Sequence, residues 1–175
     1  MLKKPTFLLI LVLSCSWLLY LFFFRVVPDE TRIRWVIEEM VENFNDGDAG
    51  GVGDGLAADF FEQRHNYTRR ELILTLLYTV NQHRRRDGSF SLRAELLSPP
   101  EISVHDEKPR TANVSVDVRI DRLPSVKKSD SPPKTWRTLR FYGQCVLNDR
   151  AWEILSSTYE VINGSRPLQS TGQSF

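Results

Sequence analysis

Eighteen consecutive residues near the start of the chain, Phe7 to Phe24, carry no charge and are almost all apolar. As an α-helix this run would measure about 27 Å, close to the ~30 Å hydrocarbon core of a bilayer. We therefore predict that residues 1–28 form a transmembrane signal anchor that contacts the membrane through residues 7–24. Residues 29–163 are predicted to form a separate domain. The polar residues 164–175 are predicted to be a disordered tail.

Two other fates of the apolar segment stay open. A cleaved secretory signal would need small residues before the cut, and none follows the apolar run. The sequence Val12–Cys15 is a weak lipoprotein motif, but cleavage there would leave apolar residues on the mature protein. Lys3 and Lys4 resemble the amino-terminal region of a signal. We therefore expect a single-pass membrane protein whose C-terminal domain lies outside the cytoplasm.

The charge, cysteine and histidine content of the domain argues against nucleic-acid binding, a disulfide and a metal site. The whole chain has a net charge of +1, and its first 28 residues are basic, so the domain is slightly acidic and has no electrostatic footprint for nucleic acid. Cys15 lies in the predicted anchor, so no disulfide is expected, and Cys145 is expected to be a small core residue. His65, His83 and His105 lack metal-ligand spacing, so we predict neither a metal nor a cofactor. The last two are expected to be exposed.

The first part of the domain predicts two helices separated by a glycine-rich connector. Apolar residues from Ile33 to Phe44 recur at helical spacing, which predicts an amphipathic helix that begins near Asp29. Residues 50–55 contain four glycines but lack the lysine of a phosphate-binding loop, and they follow a helix rather than a strand. We interpret them as a flexible connector. A short second helix is predicted over residues 56–63.

A third helix and a series of strands follow. Thr68 and Glu71 have the spacing of a capping box, which predicts a helix that ends near Arg86. Beyond it, apolar and polar residues alternate with the period of two that half-buried strands show. The predicted strands cover residues 90–96, 101–105, 114–120 and 139–147, and a last strand begins at Ala151.

The order of these elements resembles the nuclear transport factor two-like superfamily, a cystatin-like α+β cone that also includes SnoaL-like polyketide cyclases, ketosteroid isomerase and scytalone dehydratase. The opening helix over 32–45, the short acidic-aromatic segment ending Ala57–Phe61, the capped helix from Thr68 and the closing strand Ala151–Ile154 carry the resemblance. It covers residues 30–162. It implies an α+β fold in which about three helices pack on a curved, mostly antiparallel sheet that encloses a cavity.

The inward positions of such a cone are apolar in this chain. We expect Val116, Val118, Phe141 and Trp152 to line the cavity. The alternation of the last strand places Tyr159 on the face opposite Trp152 and Ile154. An interior of this kind would suit an apolar small-molecule ligand.

Enzymes of this superfamily resemble one another in placing Asp, His or Tyr side chains inside the cone. The candidates here are Asp59, His65 and Tyr78, of which the first two could form a general acid–base pair. Two hypotheses follow. The first is a membrane-tethered, non-catalytic ligand-binding or protein-assembly module. The alternative is a small-molecule isomerase, cyclase or dehydratase that uses the Asp/His pair.

The opposite face of the predicted sheet is polar. Asp117 and Arg119 alternate on one strand, and Arg140 and Tyr142 alternate on its expected neighbour. Superfamily members that dimerise commonly use this surface, so the resemblance implies a homodimer. Tyr142 is the expected anchor, because tyrosine is enriched among interface hot spots.

Overall fold

The structure, a computed structural model, describes residues 27–124 and 132–164. The predicted anchor over 7–24, the lipoprotein-like motif and the polar tail after Gly164 lie outside the described residues. Among the residues that are described, no helix is long and apolar enough to cross a membrane.

Three helices and seven strands make up the described part of the chain. The helices are α1 (Asp29–Asp46), α2 (Ala49–Asp54) and α3 (Arg69–His83). The strands are β1 (Leu56–Glu62), β2 (Tyr67–Thr68), β3 (Leu92–Leu96), β4 (Glu101–His105), β5 (Thr111–Arg122), β6 (Lys134–Asn148) and β7 (Ala151–Gly164). They form one sheet in the order β2-β1-β7-β6-β5-β3, and β4 also pairs with β5. Only β1 and β7 are parallel among these pairs. The expected α+β domain, with three helices on a curved, mostly antiparallel sheet, is confirmed.

Helix α1 packs its apolar side against the sheet. Ile33 and Ile37 are buried and belong to one core cluster with Trp152 of β7. Because apolar side chains recur every three to four residues, one side of the helix stays in contact with the sheet. Gly47 ends the helix at a φ of 71°, a left-handed conformation that glycine adopts without steric cost. The predicted opening helix is confirmed.

Polar side chains tie both ends of α1 to the sheet. Asp29 accepts a hydrogen bond from Nε1 of Trp152 at 2.9 Å and pairs with Arg110 at 2.7 Å. At the other end, the Asn45 amide donates to the Ala94 carbonyl at 3.0 Å and accepts from the Ala94 N–H at 2.6 Å. The helix is therefore held against β7 at its start and against β3 at its end.

The expectation of a flexible glycine-rich connector is wrong. These residues form α2, whose first turn is capped by Asp48, since its carboxylate accepts from the Gly51 N–H at 2.9 Å. The glycines permit close packing. A Cβ atom on Gly53 would lie 2.5 Å from Cδ1 of Ile73 in α3, which is closer than two non-bonded carbon atoms approach. A larger residue at Gly53 would therefore require the Ile73 side chain to shift.

The predicted second helix over 56–63 is also wrong, because this segment is strand β1. Its Leu-Ala-Ala start favours a helix, but the chain here lies parallel to β7. The Gly55 carbonyl just before the strand accepts from the Ile154 N–H at 2.9 Å. Phe60 is buried and Phe61 is exposed, as neighbours on a strand are. Pairing with the sheet outweighs the local helix preference.

The capping box that opens α3 is confirmed. The Thr68 side chain accepts from the Glu71 N–H, and the Glu71 carboxylate accepts from the Thr68 N–H at 2.8 Å. The hydrogen bonds that the Thr68 N–H and hydroxyl donate to this carboxylate lower the pKa of Glu71. The helix ends at His83, earlier than predicted, because Arg84 adopts an extended conformation. His83 is half-buried rather than exposed, 5.6 Å from the Trp136 ring, and burial lowers its pKa.

A β-bulge changes the alternation of strand β7. The register with β6 shifts between Ile154 and Ser156, which leaves Leu155 as an extra residue. As a result Ile154 and Tyr159 both line the cavity beneath α1. The predicted placement of Tyr159 on the opposite face is therefore wrong, because one inserted residue exchanges the two faces of a strand.

Replacing Trp152 with alanine should lower the free energy of unfolding by about 3–5 kcal/mol, the usual cost of emptying a large buried aromatic site. Its indole is only 3% exposed, and the substitution also removes the hydrogen bond from this indole to Asp29. Trp35→Ala is the matched control, because this residue is 54% exposed and its loss should stay within about 0.5 kcal/mol. Denaturant unfolding followed by circular dichroism measures both. Equal losses in the two variants would contradict the packing of α1 on β7.

Candidate functional site

A cavity of about 340 Å³ lies between the helices and the inner face of the sheet. Aliphatic and aromatic side chains from all three helices and from strands β1, β3, β5, β6 and β7 surround it. None of the described residues that line it is charged. Its volume falls within the range of roughly 300–1,000 Å³ that is typical of ligand pockets.

The structure places the residues assigned to the cavity in two locations. Val116, Val118 and Phe141 lie along the sheet wall of the cavity. Trp152 lies instead in the core beneath the start of α1, with Ile33 in the same cluster. The indole N–H donates to Asp29 at the start of that helix, and the ring fills the space between helix and sheet there.

The polar groups of the cavity come from the neighbouring strands β6 and β7. Ser157 and Tyr159 line it from β7, and Cys145 lines it from β6. Burial raises the pKa of Tyr159, and it raises the pKa of Cys145 to about 12. Both groups are therefore protonated and uncharged at neutral pH. They can form a few hydrogen bonds in an otherwise hydrocarbon environment.

The structure does not join the three residues weighed as a catalytic group. Asp59 is exposed on β1, and Tyr78 is exposed on α3. His65 contacts a different carboxylate, with its Nδ1 3.1 Å from Oε2 of Glu62. Asp59, His65 and Tyr78 are absent from the described lining of the cavity. The predicted Asp/His geometry therefore has no counterpart among the described contacts.

Glu62 is a buried carboxylate that the sequence reasoning missed. It accepts from the backbone N–H of Arg64 at 2.9 Å and of His65 at 2.7 Å, so it stabilises the turn between β1 and β2. The His65 ring stacks on Tyr67 and Tyr159, with centroids 5.4 and 5.8 Å apart. Because Tyr159 also lines the cavity, this cluster adjoins it. The sequence analysis missed this turn because it predicted a helix over residues 56–63.

The outer face of the sheet carries charged side chains that pair within the chain. Arg140 donates to both carboxylate oxygens of Asp117, at 2.7 and 2.8 Å. Arg119 contacts Glu95 at 2.5 Å and Asp121 at 3.1 Å. The hydrogen bond from Arg140 lowers the pKa of Asp117, and the same bond raises the pKa of Arg140. These charges therefore balance one another along the sheet.

An open polar groove of about 580 Å³ lies beside these pairs and crosses β4, β5, β6 and β7. The exposed Tyr142 lies in this groove. Most of the side chains around it are neutral and polar, including Asn113, Ser115, Gln144 and Thr158.

Comparisons with known proteins bear on the fold. Neither a scan against protein-family models nor a search of curated proteins found a match. Among solved structures, a nuclear transport factor two-like protein with a cystatin-like fold from Novosphingobium aromaticivorans is similar, with a TM-score of 0.62 and 16% identity over 81% of this chain and 86% of that chain. A protein of unknown function with a cystatin-like fold from Nostoc punctiforme has a TM-score of 0.60 and 12% identity, over 81% and 96% of the two chains.

A third similar structure, also from Novosphingobium aromaticivorans, is described provisionally as a scytalone dehydratase. Its TM-score is 0.60 and its identity 13%, over 77% of this chain and 85% of that chain. Likeness at such identities concerns the fold alone. The cystatin-like fold that the order of elements implied is confirmed.

The Cys145 thiol provides a test of the cavity wall. With a pKa near 12 rather than 9.0, it carries about a thousandfold less thiolate near pH 8. In a Cys15→Ser chain, we therefore expect iodoacetamide to modify native Cys145 about a thousandfold more slowly than the same thiol in guanidinium chloride. Mass spectrometry over time measures both rates. Equal rates would contradict the burial of this thiol.

Proposed function

We propose that this protein is a membrane-tethered, non-catalytic module whose domain binds a small apolar molecule. The cavity of about 340 Å³ carries the proposal, because none of the described side chains that line it is charged. A charged ligand would be buried there without a partner, at a high cost in free energy. The ligand is therefore uncharged.

The lining also favours a ligand that is mostly hydrocarbon and has one hydroxyl or carbonyl group. Ser157 and Tyr159 offer hydrogen bonds from neighbouring positions of β7, whereas Val116, Val118 and Phe141 offer none. Each buried methylene group contributes about 0.8 kcal/mol, so burial supplies most of the affinity. The polar group gives the ligand its orientation.

The tether is proposed from the apolar run over 7–24, which is long enough to span a bilayer. Helix α1 begins at Asp29, so only the four residues Arg25–Pro28 separate the two. Four residues reach at most about 14 Å. The cavity would therefore stay close to the bilayer, in which a mostly hydrocarbon ligand dissolves. We place the domain outside the cytoplasm.

The alternative is an isomerase, cyclase or dehydratase, and the likeness to the structure described provisionally as a scytalone dehydratase favours it. Its acid–base pair would have to be Glu62 and His65, because Asp59 is exposed. His65→Ala separates the two functions. The variant should retain uptake of an apolar molecule if the domain only binds, and it should abolish turnover if the domain is an enzyme.

We also propose that the domain forms a homodimer through the groove around Tyr142. The cores of protein interfaces are depleted in charged residues and enriched in tyrosine, and most side chains of this groove are neutral and polar. The internal pairing of Arg140 with Asp117 leaves little net charge to repel a second copy.

Filling the cavity should abolish ligand uptake. Val116→Phe places a ring in the cavity, and we expect it to weaken binding of the neutral probe N-phenyl-1-naphthylamine at least tenfold, about 1.4 kcal/mol. Ser115→Phe is the matched control, because this neighbouring residue lines the groove on the outer face. Probe fluorescence measures binding, and circular dichroism verifies that both variants fold. Unchanged binding by Val116→Phe, or equal loss in both variants, would refute the proposed binding site.

Tyr142→Ala should shift the chain toward monomer without lowering its thermal midpoint at low concentration. The residue lies in the open groove, so its removal should affect association more than folding. Sedimentation in detergent, with the detergent contribution matched out, measures the change, and Gln63→Ala at the edge of the same groove is the control. A wild-type chain that is already monomeric at about 100 μM, a concentration at which a micromolar dimer would be formed, would rule out this interface.

A further inference from the structure

Helix α3 exposes a strip of large apolar side chains. Leu74, Leu77 and Tyr78 are 54%, 43% and 64% exposed, and intervals of three and four residues place them on one side of the helix. We call these three residues the α3 strip. The opposite side is also apolar, since Leu72 and Leu76 line the cavity. The helix thus has one apolar side for the core and a second that no described residue covers.

Exposed arginines flank the α3 strip at both ends of the helix. Arg70 lies in the first turn, and Arg84 and Arg86 follow the last turn. The described salt bridges involve none of these three. Arg85 between them donates instead to the Leu123 and Pro124 carbonyls. The surface around the α3 strip is therefore basic, although the domain as a whole is slightly acidic.

We propose that the α3 strip lies on an anionic lipid bilayer, as a second membrane contact that rests on the proposed tether. Apolar side chains flanked by cations are typical of helices that lie in the plane of a membrane surface. Leucine side chains enter the boundary of the acyl chains, tyrosine places its hydroxyl among the headgroups, and each arginine near an anionic surface contributes about 1 kcal/mol.

The tether explains why so short a strip is enough. Because Arg25–Pro28 reach at most about 14 Å, the domain is held at a high effective concentration near the surface, and a second contact needs little affinity of its own. The outer face of the sheet also exposes Phe61 and Tyr142, but most side chains around its groove are neutral and polar and its charges pair internally. The helical side is therefore the side that faces the bilayer.

A label beside the α3 strip tests this orientation in the full chain. Asn81→Cys lies in line with the strip, one turn beyond it, and Gln144→Cys on the outer face is the control; both positions are exposed. Each is made in a Cys15→Ser chain and labelled with an environment-sensitive nitrobenzoxadiazole. Cys145 is kept in these chains, because it is buried and the label does not reach it. The chains are reconstituted in neutral vesicles of phosphatidylcholine or in anionic vesicles that also contain phosphatidylglycerol. Each kind is prepared with and without brominated acyl chains.

We expect brominated lipid to quench most of the emission from position 81 and to leave position 144 unchanged. Leu74→Ser with Leu77→Ser should remove the quenching, and Arg84→Glu with Arg86→Glu should reduce it in anionic vesicles only. Emission from position 81 that is insensitive to brominated lipid would overturn the proposal. So would quenching that survives both pairs of substitutions. A disulfide between two unlabelled Asn81→Cys chains, in place of quenching, would also overturn it.

A carbonate wash of the same vesicles reports on the tether separately. Chains that resist the wash but show no quenching at position 81 would uphold the tether and refute the bilayer contact of the α3 strip. Chains that the wash removes, but that are quenched before it, would refute the tether and leave a reversible surface contact through the α3 strip.

Discussion

The cavity depends on the two ties that hold helix α1 at its ends. Asp29 is bonded to Trp152 and Arg110 at the start, and Asn45 is bonded to Ala94 at the end. Hydrogen bonds to a charged group contribute about 1.5–3 kcal/mol each. Because both ends are fixed to separate strands, the middle of the helix spans the concave sheet without filling it. The space beneath it is the cavity.

The bulge in β7 determines what that space can hold. Without Leu155 as an extra residue, the alternation of β7 would continue from Ile154 and direct Tyr159 to the outer face. With the bulge, the Tyr159 ring forms part of the cavity wall and also stacks against His65. One inserted residue therefore places the Tyr159 phenol in the cavity wall, next to the turn that the buried Glu62 stabilises.

Local signals were enough to predict much of this fold. The capping box of Thr68 and Glu71 and the alternation along β5 depend on residues that are close in the sequence, and both appear as predicted. The segment 50–63 was misassigned because its structure depends on distant partners. Gly53 accommodates Ile73, and the residues after it pair with β7. The Glu62–His65 contact was missed for the same reason, since it exists only in the turn that this strand creates.

The Asn45 tie has a further consequence at the margin of the sheet. Strand β3 is the last in its row, and the Ala94 N–H and carbonyl that Asn45 occupies point away from β5. Unpaired groups on a terminal strand are a template for a strand from another molecule, and exposed edges of this kind promote aggregation. By completing both bonds with its own amide, Asn45 blocks intermolecular strand addition at the centre of β3. The side chain that positions α1 thus also protects the sheet from growing beyond a single chain.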